Sequence, residues 1–539
     1  MDNNCPFATV LSATTSPRNK TGSWRTMCPR YINLMPPCNA VCPTGENVQR
    51  WLSFARSGNF RQAWNVIVQN NPFPAIMGRI CYHTCEKVCN RSHFDEAVSI
   101  NILERAVGDM AISHGWKFEN VVPATGKKVL VVGSGPSGLA AAYFLRKFGH
   151  EVEIKEARAL TGGMMRYGVP RFRLPGSIID AEIRRITDLG VKISCNSRVS
   201  DLGSEINKFD AIYVCIGASK AIKPDMEVKS GSSVIDAVDL FKKLTNEQSH
   251  SVKFEKNVIV YGGGNTAIDA ARMALRLGAE KVNIVYRKTL SSMPAHETEI
   301  HEALSEGIKI LCLRTIRVID HREVLIDKMN YDEESGILSK SGEEETLIAD
   351  SVILAVGQFM DDSVVRNIEG IVVTDGGIIE TDEYMMTGAK GIFAGGDATS
   401  TKRTATVAIA HGKKGAQYID AYLNGKEVEQ KSKPDVINFK KLNTSYYFSS
   451  PRLTLPPISS ISMEERTIAL TGDEIVTEAS RCFSCGNCHH CNNCYVYCPE
   501  NAIQKLLDGS LKVNHDYCKG CGICAVECPC GAIKMMPEK

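Results

Sequence analysis

Two runs of four cysteines near the end of the chain have identical spacing and could bind metal clusters. Each run reads C-x2-C-x2-C-x3-C and is followed directly by a proline. This is a ligand pattern of paired [4Fe–4S] clusters, in which the fourth cysteine of each run binds the cluster of the other run. One cluster is therefore predicted at Cys488, Cys491, Cys494 and Cys528, and the other at Cys518, Cys521, Cys524 and Cys498. Such clusters transfer single electrons, so the rest of the chain should contain an electron donor site.

Size and composition favour a multidomain protein of the cytoplasm. The 539 residues exceed what one hydrophobic core normally organises. A net charge of +2 indicates neither nucleic acid nor an anionic membrane as a partner, and no apolar run approaches the ~18 residues that cross a bilayer. The 21 cysteines form two dense groups, with only Cys195, Cys215 and Cys312 in the long middle. This clustering favours metal clusters in a reducing compartment over disulfides.

A dinucleotide-binding pattern follows the apolar strand predicted over residues 128–132. The strand is followed by G-S-G-P-S-G, a helical pattern and a second strand that ends at an acid. Glycines at these positions permit a tight turn and the close approach of a pyrophosphate to the helix N-terminus, and the acid can accept hydrogen bonds from a ribose. The predicted contacts of this first site are Gly133, Gly135, Pro136, Ser137, Gly138 and Glu156.

A second pattern of the same kind follows the strand predicted over residues 257–261. Where the first site has an acid, this one has Arg287 and Lys288. A basic pair attracts a 2′-phosphate, so NADPH is favoured over NADH. Arg287 could equally be a solvated residue at the end of a strand. The predicted nucleotide contacts are Gly262, Gly264, Asn265, Thr266, Ala267, Arg287 and Lys288.

A third segment, 391–418, is predicted to complete the first site as an FAD site. An apolar strand ends in Gly-Asp, and a helical pattern follows. In flavoproteins with two dinucleotide sites such an aspartate meets the ribityl chain, and the helix dipole stabilises negative charge on the flavin ring. The NAD(P)H-binding unit would then be inserted within the FAD-binding unit. The predicted flavin contacts in this segment are Gly396, Asp397, Thr406 and Val407.

Together these motifs resemble the glutamate synthase small subunit family. The likeness covers roughly residues 38–425 and includes the segment 161–170, which contains Gly163, and the segment 286–288. The same family includes the flavin half of dihydropyrimidine dehydrogenase and the large subunit of the electron-bifurcating transhydrogenase. The resemblance implies FAD at the first site with Gly163 among its contacts, NADPH at the second, and iron–sulfur clusters beside the flavin. The appended cysteine runs resemble a subset, the DsrL-like NAD(P)H:acceptor oxidoreductases and reductase subunits attached to 2-oxoacid:ferredoxin oxidoreductases.

The resemblance also implies a [4Fe–4S] cluster in the N-terminal region with one carboxylate ligand. Its implied ligands are Cys42, Cys81, Cys85 and Glu104. A carboxylate ligand should shift the cluster's potential. Glu104 could alternatively be an acid on the surface of a helix.

A second N-terminal cluster would use Cys38 and Cys89, but the C-x2-C that precedes these positions in the family is missing here. Cys28 could supply one further ligand, and Cys5 or a non-cysteine group the other. The alternative is that Cys38 and Cys89 are packed thiols. Two cysteines just before the first C-terminal run remain without a place, as packing residues or alternative ligands: Cys482 and Cys485.

The predicted fold is multidomain. It comprises an α-helical iron–sulfur domain, α/β Rossmann-like FAD and NAD(P)H domains, and a C-terminal α+β ferredoxin-like domain. The predicted boundaries are 1–122 for the helical domain, 123–255 and 356–425 for the two parts of the FAD domain, 256–355 for the NAD(P)H domain, 426–480 for a connector and 481–539 for the ferredoxin-like domain.

A donor site, a flavin and clusters in one chain predict an NAD(P)H:acceptor oxidoreductase that serves ferredoxin or a partner redox enzyme. The alternative is an electron-transfer subunit that is active only inside a complex, of the glutamate synthase, sulfite reductase-linked or 2-oxoacid oxidoreductase kind. Either form could be a homodimer or part of a hetero-oligomer. The middle of the chain contains no C-x-x-C, which argues against disulfide reduction. Hydride transfer needs no side-chain acid or base, so no catalytic residue is predicted.

Overall fold

The computed structural model describes residues 20–119, 122–245, 252–428, 434–455, 461–465 and 470–538. Short helices dominate the first hundred of these residues, two parallel sheets occupy the middle, and small antiparallel strand pairs occupy the end. Within the described ranges, no helix combines the length and the apolar character needed to cross a membrane.

An N-terminal strand, β1 (Met27–Tyr31), precedes a unit of six helices. The helices are α1 (Pro37–Val41), α2 (Val48–Arg56), α3 (Phe60–Ile67), α4 (Pro74–Ile80), α5 (Thr84–Lys87) and α6 (Ile100–Ser113). Asn47 and Asn59 cap α2 and α3 by accepting hydrogen bonds from backbone N–H groups of the first turn. Trp51 and Trp64 lie on the inner faces of these helices and are fully buried, so they form the centre of the helical core.

The first parallel sheet begins after the helical unit and is covered by helices. Its elements are β2 (Lys128–Val132), α7 (Pro136–Lys147), β3 (Glu151–Lys155), α8 (Met164–Tyr167), α9 (Gly176–Thr187), β4 (Lys192–Ser194), α10 (Gly203–Ile206) and β5 (Ala211–Val214). Val129 and Leu130 point to opposite faces of β2 and both are fully buried, as expected for a parallel strand covered on both sides.

The second parallel sheet has the spatial order β11-β10-β9-β15-β8. The elements of this unit are β6 (Lys220–Ala221), β7 (Glu227–Val228), β8 (Val234–Asp236), α11 (Ala237–Thr245), β9 (Asn257–Tyr261), α12 (Asn265–Arg276), β10 (Lys281–Val285), α13 (Glu297–Ser305), β11 (Lys309–Leu311), β12 (Arg314–Asp320), β13 (Glu323–Tyr331), β14 (Leu338–Ile348), β15 (Ser351–Leu354) and β16 (Gln358–Phe359). β12, β13 and β14 form an antiparallel meander beside the sheet.

The predicted start of the NAD(P)H domain at residue 256 is too late. Strand β8 pairs in parallel with β15 and therefore belongs to the second sheet, as does the helix α11 that follows it. The chain enters and leaves this unit through β6 and β16, which pair with each other in antiparallel fashion. Two neighbouring crossings of this kind can link the two nucleotide-binding units.

The chain then returns to the first sheet. Strand β17 (Ile392–Ala394) pairs in parallel with β5, which gives the spatial order β17-β5-β2-β3-β4. Helix α14 (Ala405–Asn424) packs along α7, and Thr404 caps its N-terminus by accepting a hydrogen bond from the backbone N–H of Val407. The second sheet is thus inserted between two strands of the first.

The C-terminal unit contains one short hairpin, β18–β19, and a last strand that pairs outside the unit's own sequence. Its elements are α15 (Gly472–Ser480), α16 (Asn493–Val496), β18 (Ile503–Lys505), β19 (Leu511–Val513), α17 (Ile523–Val526) and β20 (Ile533–Pro537). Strand β20 pairs with the N-terminal β1, so that Met27 lies opposite Pro537 and Tyr31 lies opposite Ile533. Residues 27–31 therefore pair with the C-terminal unit in space, whereas the boundary 1–122 groups them with the helical domain.

The segment 426–480 is more than the wrapping connector that its prolines and serines predict. Its helix α15 packs against α2 and buries Ile475 and Ala479 completely in the helical core. These apolar residues lie four positions apart, which places them on one face of the helix. The end of the segment is thereby fixed to the N-terminal helices.

Candidate cofactor and iron–sulfur sites

The first glycine loop joins β2 to α7. Gly133 has a φ of 110°, and a Cβ atom there would lie 2.7 Å from the carbonyl oxygen of Cys215. Gly135, at the N-cap of α7, would meet no atom within 4 Å, so the space in front of the helix is open. Gly138 allows close packing, because a Cβ there would lie 2.1 Å from the oxygen of Gly133. The loop thus leaves room for a ligand only at the helix N-terminus.

Glu156 lies beside this loop at the end of β3. One of its carboxylate oxygens accepts hydrogen bonds from the backbone N–H of Ser134 at 2.9 Å and from the Ser134 hydroxyl at 2.6 Å. The other accepts from the backbone N–H of Arg158 at 2.9 Å. These bonds hold the acid in a fixed orientation on the wall of the nucleotide cavity.

The second glycine loop has the same construction between β9 and α12. A Cβ on Gly262 would lie 2.3 Å from the carbonyl oxygen of Ala355, whereas one on Gly264 would meet nothing within 4 Å. Asn265, the first residue of α12, accepts a hydrogen bond from the backbone N–H of His296 at 2.8 Å. Ala267 is fully buried in the core of the second unit and does not line the nucleotide cavity.

Both loops open into one cavity of about 670 Å³. Predicted contacts that line it are Gly133, Gly135, Pro136, Ser137, Glu156, Gly163, Asn265, Thr266, Gly396 and Asp397. Predicted contacts that lie off its walls are Gly138, Thr406, Val407, Gly262, Gly264, Ala267, Arg287 and Lys288. The neighbours Thr404, Ala405 and Ala408 line the cavity instead of Thr406 and Val407, because the first turn of α14 presents these residues to it. A shared cavity allows two nucleotides to meet.

The basic pair after β10 lies away from this cavity. Arg287 is exposed, and the Lys288 ammonium lies 4.9 Å from the centre of the Tyr331 ring. In the described structure around β10, neither side chain donates a hydrogen bond to an acid. The nearby acids Glu345 and Glu343 accept from Arg314 and Lys328 instead. The pair follows the end of β10 in the second sheet. Glu156, the acid of the first site, follows the end of the corresponding strand β3 in the first sheet.

The floor of the cavity near α14 carries opposite charges. Burial raises the pKa of Asp397 to about 6, and Arg403 opposes this effect. The Arg403 Nε atom is buried without a hydrogen-bond partner and belongs to a residue on the cavity wall. An unpartnered guanidinium N–H, open glycine positions and a helix N-terminus fit an anionic dinucleotide such as FAD.

The C-terminal cysteines gather as two crossed sets. Cys498 from the first run lines a small cavity together with three cysteines of the second run, Cys518, Cys521 and Cys524. In the other set Cys528 lies beside the first run. Burial raises the pKa of Cys488 and of Cys494, and the nearby Cys528 raises both further. Cys491 adds to both effects. These are the two sets that the crossed ligand pattern predicts.

Two donors stand beside the cysteines of the second of these sets. The Tyr31 hydroxyl lies 3.2 Å from Cys494 Sγ, and it comes from the N-terminal strand β1. Cys530 Sγ lies 3.7 Å from Cys528 Sγ, and its thiol lowers the pKa of Cys528. Hydrogen bonds to cluster sulfurs are among the factors that set a cluster's potential.

Cys42, Cys81 and Cys85 lie in the helical unit beside two buried acids. Burial raises the pKa of Cys81, and Glu104 and Cys42 raise it further. Burial also raises the pKa of Cys85, and the neighbouring Cys81 raises it further. The second acid is Glu46: the Asn71 amide donates to Glu46 Oε1 and to Glu104 Oε1, each at 2.9 Å. Two carboxylates are therefore available at this set.

Cys81 stands on the wall between the helical unit and the nucleotide cavity. Its neighbours in the chain, Ile80 and Tyr82, both line that cavity. Asn265 of the second glycine loop donates a hydrogen bond to the Tyr82 hydroxyl, and His296 stacks on the Tyr82 ring with centroids 5.5 Å apart. The cysteine set is thus separated from the cavity at Cys81 only by the residues next to it in the chain.

The cysteines that the sequence leaves without a place lie with Cys38 and Cys89. Four partly buried cysteines line one small cavity: Cys38, Cys89, Cys482 and Cys485. Burial raises the pKa of Cys38, and the three other thiols raise it further. Cys28 lies elsewhere, in strand β1 opposite Met536. Cys5 falls outside the described residues.

None of these sets is arranged for a single ion. Within the described ranges there is no group of three or more His, Cys, Asp or Glu side chains that could hold one metal ion. The ligands of a [4Fe–4S] cluster bind four different irons and stand farther apart than the ligands of one zinc ion.

Comparison with known proteins agrees with this arrangement. The family model described as pyridine nucleotide-disulphide oxidoreductase matches residues 127–412, which include both glycine loops. The chain belongs to this family. The oxidoreductase also matches the model of dihydropyrimidine dehydrogenase domain II, 4Fe-4S cluster, over residues 27–116 and a 4Fe-4S binding domain over residues 511–534. The predicted fold class and the predicted cofactors FAD, NAD(P)H and [4Fe–4S] are thereby confirmed.

Curated relatives share much of this oxidoreductase. The NADP(+)-dependent formate dehydrogenase subunit beta of Moorella thermoacetica is 33% identical over 72% of this chain and 60% of its own length. The NADPH-Fe(3+) oxidoreductase subunit beta of Geobacter sulfurreducens is 30% identical over 72% and 63%. The NAD-dependent dihydropyrimidine dehydrogenase subunit PreT of Escherichia coli is 32% identical over 72% and 91%. The chain thus spans less than two thirds of the first two relatives, and the predicted likeness to iron–sulfur flavoproteins of the glutamate synthase small subunit type is confirmed.

Several residues of the oxidoreductase sites carry little signal in the sequence. Glu46 follows Cys42 by four positions, a spacing that marks no ligand pattern. Tyr31 is an isolated tyrosine far from the cysteine run that it contacts. The C-x2-C at 482–485 was the one available signal, because its spacing equals that of the pair missing upstream.

Proposed function

We propose that this oxidoreductase exchanges electrons between NAD(P)H and a partner redox protein such as a ferredoxin. FAD supplies two-electron hydride chemistry when bound, and [4Fe–4S] clusters supply one-electron transfer. The chain's own residues bind these groups in series. The proposal follows from the order of the sites in space, which runs from the nucleotide cavity to the surface of the C-terminal unit.

The observation that carries the proposal is the position of Cys81. Ile80 and Tyr82 line the cavity into which both glycine loops open, and Cys81 lies between them. The cysteine is partly buried, like Cys42, and the buried Glu104 is close enough to raise its pKa. A cluster held there would share a wall with the flavin, which is the arrangement that short-range electron transfer requires.

The C-terminal unit supports the other end of the series. Cys491 and Cys521, one from each run, are exposed, whereas Cys494 and Cys524 are buried. Exposed apolar side chains stand next to them, including Val526 at 69% exposure. Partly exposed ligands with an apolar surround suit a docking site for another redox protein.

The basic pair at the end of β10 supports NADPH as the nucleotide. Arg287 is exposed and free to reach a 2′-phosphate, and Lys288 lies next to it. Replacing Arg287 with alanine should raise KM for NADPH about tenfold and leave KM for NADH nearly unchanged, because only NADPH carries the 2′-phosphate. An equal rise for both nucleotides would contradict this role.

An anaerobic assay tests the proposed function. The chain is purified with FAD and clusters, mixed with NADPH or NADH, and then offered a viologen dye as a one-electron acceptor. The proposal expects the flavin to bleach with NADPH and the dye to be reduced. A preparation that holds FAD and cannot be reduced by either nucleotide would rule the proposal out.

A second candidate is an electron-transfer subunit that needs a larger complex. The curated names of three relatives contain the word subunit, and two of those relatives extend well beyond the length they share with this chain. Turnover of the dye by the isolated chain at rates comparable to flavin reduction would contradict strict dependence on a complex. Co-purification of one stoichiometric partner under anaerobic conditions would support it.

A further inference from the structure

Four cysteines from distant parts of the chain meet between the helical unit and the C-terminal unit. Cys38 belongs to α1, and Cys89 directly precedes the turn at Asn90–His93. Cys482 and Cys485 lie in the loop that follows α15. All four line one cavity, and no other cysteine does so. The set combines two cysteines from the N-terminal helices with a C-x2-C pair from the C-terminal segment.

This cavity has about the same volume as the one in the ferredoxin-like unit. The cavity lined by Cys498, Cys518, Cys521 and Cys524 and the cavity lined by the Cys38 set each measure about 20 Å³. Both are lined by four cysteines and otherwise mainly by apolar side chains. The first belongs to a cysteine pattern specific for [4Fe–4S] clusters, so it serves as an internal reference.

The surroundings of the Cys38 set suit thiolate ligands. The backbone N–H of Ser484 donates to Cys482 Sγ at 3.4 Å, and the Asn90 side-chain amide donates to Cys485 Sγ at 3.5 Å. The Arg56 guanidinium is close enough to act on Cys482. Donors and a positive charge beside the sulfurs stabilise a negatively charged cluster.

The scaffold around the set is rigid enough to hold a fixed geometry. Arg91 donates to the Arg481 carbonyl oxygen at 3.0 Å and to Asp95 at 2.6 Å, and Arg481 donates to Asp95 at 3.1 Å. These residues join the turn after Cys89 to the end of the helix before Cys482. Helix α15 is fixed on the other side by Ile475 and Ala479 in the helical core.

We infer that Cys38, Cys89, Cys482 and Cys485 bind a [4Fe–4S] cluster whose ligands come from both ends of the chain. The C-x2-C pair at the C-terminal side takes the place of the pair that is missing before Cys38. The cluster would also act as a cross-link between the helical unit and the C-terminal unit. Neither Cys28 nor Cys5 is a ligand in this assignment.

The location of this cluster makes it a link between the other sites. Burial raises the pKa of Cys85, which lies in the set with Cys42 and Cys81, and Cys38 raises it further, so the two sets are neighbours. On the other side, Gly486 donates its backbone N–H to the carbonyl oxygen of Cys530 at 2.7 Å, beside Cys528 of the next set. The assignment of this metal site does not depend on the proposed function. The role of its cluster as a relay between the other sites does depend on the proposed function.

Iron and FAD are to be measured in anaerobically purified full-length chain. Four clusters give about 16 iron atoms per FAD in the wild type, and three clusters give about 12. The test variants are Cys38→Ser with Cys89→Ser, and Cys482→Ser with Cys485→Ser. The control variants are Cys28→Ser and Cys312→Ser, which remove cysteines outside the set.

The proposal expects each double variant to lose about four iron atoms per FAD and both controls to match the wild type. Retained FAD and flavin bleaching by NADPH would show that the nucleotide sites are intact, so a loss of the cluster is separable from a failure of the proposed function. Wild-type iron in either double variant, loss of iron in Cys28→Ser, or one zinc per chain replacing four iron atoms would overturn the assignment. If a double variant also loses FAD, the number of iron atoms per FAD in the wild type decides whether this cluster exists. About 16 iron atoms support the cluster, and about 12 overturn it.

Discussion

Asn265 donates a hydrogen bond from its side-chain amide to the hydroxyl of Tyr82. Asn265 is the first residue of the helix after the second glycine loop, and Tyr82 is the residue next to Cys81. The bond therefore connects the nicotinamide-binding unit to the helical iron–sulfur unit across the nucleotide cavity. It fixes where the second loop stands relative to the helical unit.

Replacing Tyr82 with phenylalanine should slow the reduction of FAD by NADPH. The loss of one hydrogen bond is worth about 1 kcal/mol, which corresponds to roughly a fivefold change. FAD and iron content should stay unchanged, because the ring still stacks on His296.

Anaerobic stopped-flow absorbance of the flavin measures the rate. Tyr261→Phe is the control, since it removes a hydroxyl bonded to Thr315 at 2.6 Å outside the cavity; equal rates in the two variants would refute the role of Tyr82.

Replacing Glu104 with alanine should remove the cluster at the cavity wall. Glu104 is buried and acts directly on Cys81, so its loss deprives that cluster of one ligand. The expected loss is about four iron atoms per FAD. Glu46→Gln is the matched control, because Asn71 donates to Glu46 as well as to Glu104. If Glu46→Gln loses the iron and Glu104→Ala keeps it, the ligand is Glu46.

Replacing Tyr31 with phenylalanine should lower the potential of the cluster that Cys494 helps to bind. Burial and the neighbouring Cys494 raise the pKa of Tyr31, so its hydroxyl keeps the proton that it donates to the sulfur. Such a bond favours the reduced, more negative cluster. Loss of about 1 kcal/mol corresponds to a shift of about 40 mV for one electron. A redox titration followed by EPR measures the shift, and the exposed Tyr495→Phe should leave the potential unchanged.

Replacing Asp95 with asparagine should loosen the junction between the helical unit and the C-terminal segment. The carboxylate accepts from Arg91 at 2.6 Å, from Arg481 at 3.1 Å and from the backbone N–H of Ser450 at 3.1 Å. Without this charge the buried Arg91 guanidinium loses its carboxylate partner and Arg481 keeps only Glu478, at a cost of about 3 kcal/mol. Thermal unfolding of the cluster-loaded chain measures the loss. The exposed pair Arg366–Asp362 offers a control, and Asp362→Asn should cost under about 1 kcal/mol.

Asp95 also makes the stability of the fold depend on pH, in a direction that its pKa defines. Burial alone would raise the pKa of Asp95, but the bonds from Arg91 and from the backbone N–H groups of Ser450 and Glu96 hold it below its usual range. A carboxyl with a lowered pKa in the folded state stabilises the fold at neutral pH and stops doing so as the pH falls through the folded value. The stability difference between wild type and Asp95→Asn should therefore shrink on acidification. A difference that grows below pH 4 would contradict this account.

The sequence predicts what depends on local spacing and misses what depends on distant pairing. The glycine loops and the C-terminal cysteine runs are local patterns, and the crossed grouping of Cys498 with Cys518 follows from them. The pairing of residues 27–31 with 533–537 has no local signal, because neither strand alternates regularly between apolar and polar residues. The same long-range closure brings Cys482 to Cys38, so no spacing rule could have paired them.

The burial of acids is equally invisible in the sequence. Glu46 and Glu104 are each 6% exposed, although nothing in their neighbourhoods along the chain distinguishes them from surface acids. Their burial arises from the packing of α4 and α6 around Asn71, which satisfies one oxygen of each. Packing of this kind is a tertiary effect.

The central claim is that electrons are exchanged between the nicotinamide and the clusters of one chain. Freeze-quench EPR tests it most directly: the oxidised protein is mixed with NADPH, and the dithionite-reduced protein, freed of excess dithionite, is mixed with NADP⁺. The account predicts that reduced-cluster signals appear in the first mixture or disappear in the second, with NADPH consumed or formed in matching amounts. Clusters that dithionite can reduce, but that exchange no electrons with the nucleotide in either mixture while FAD is bound, would contradict it.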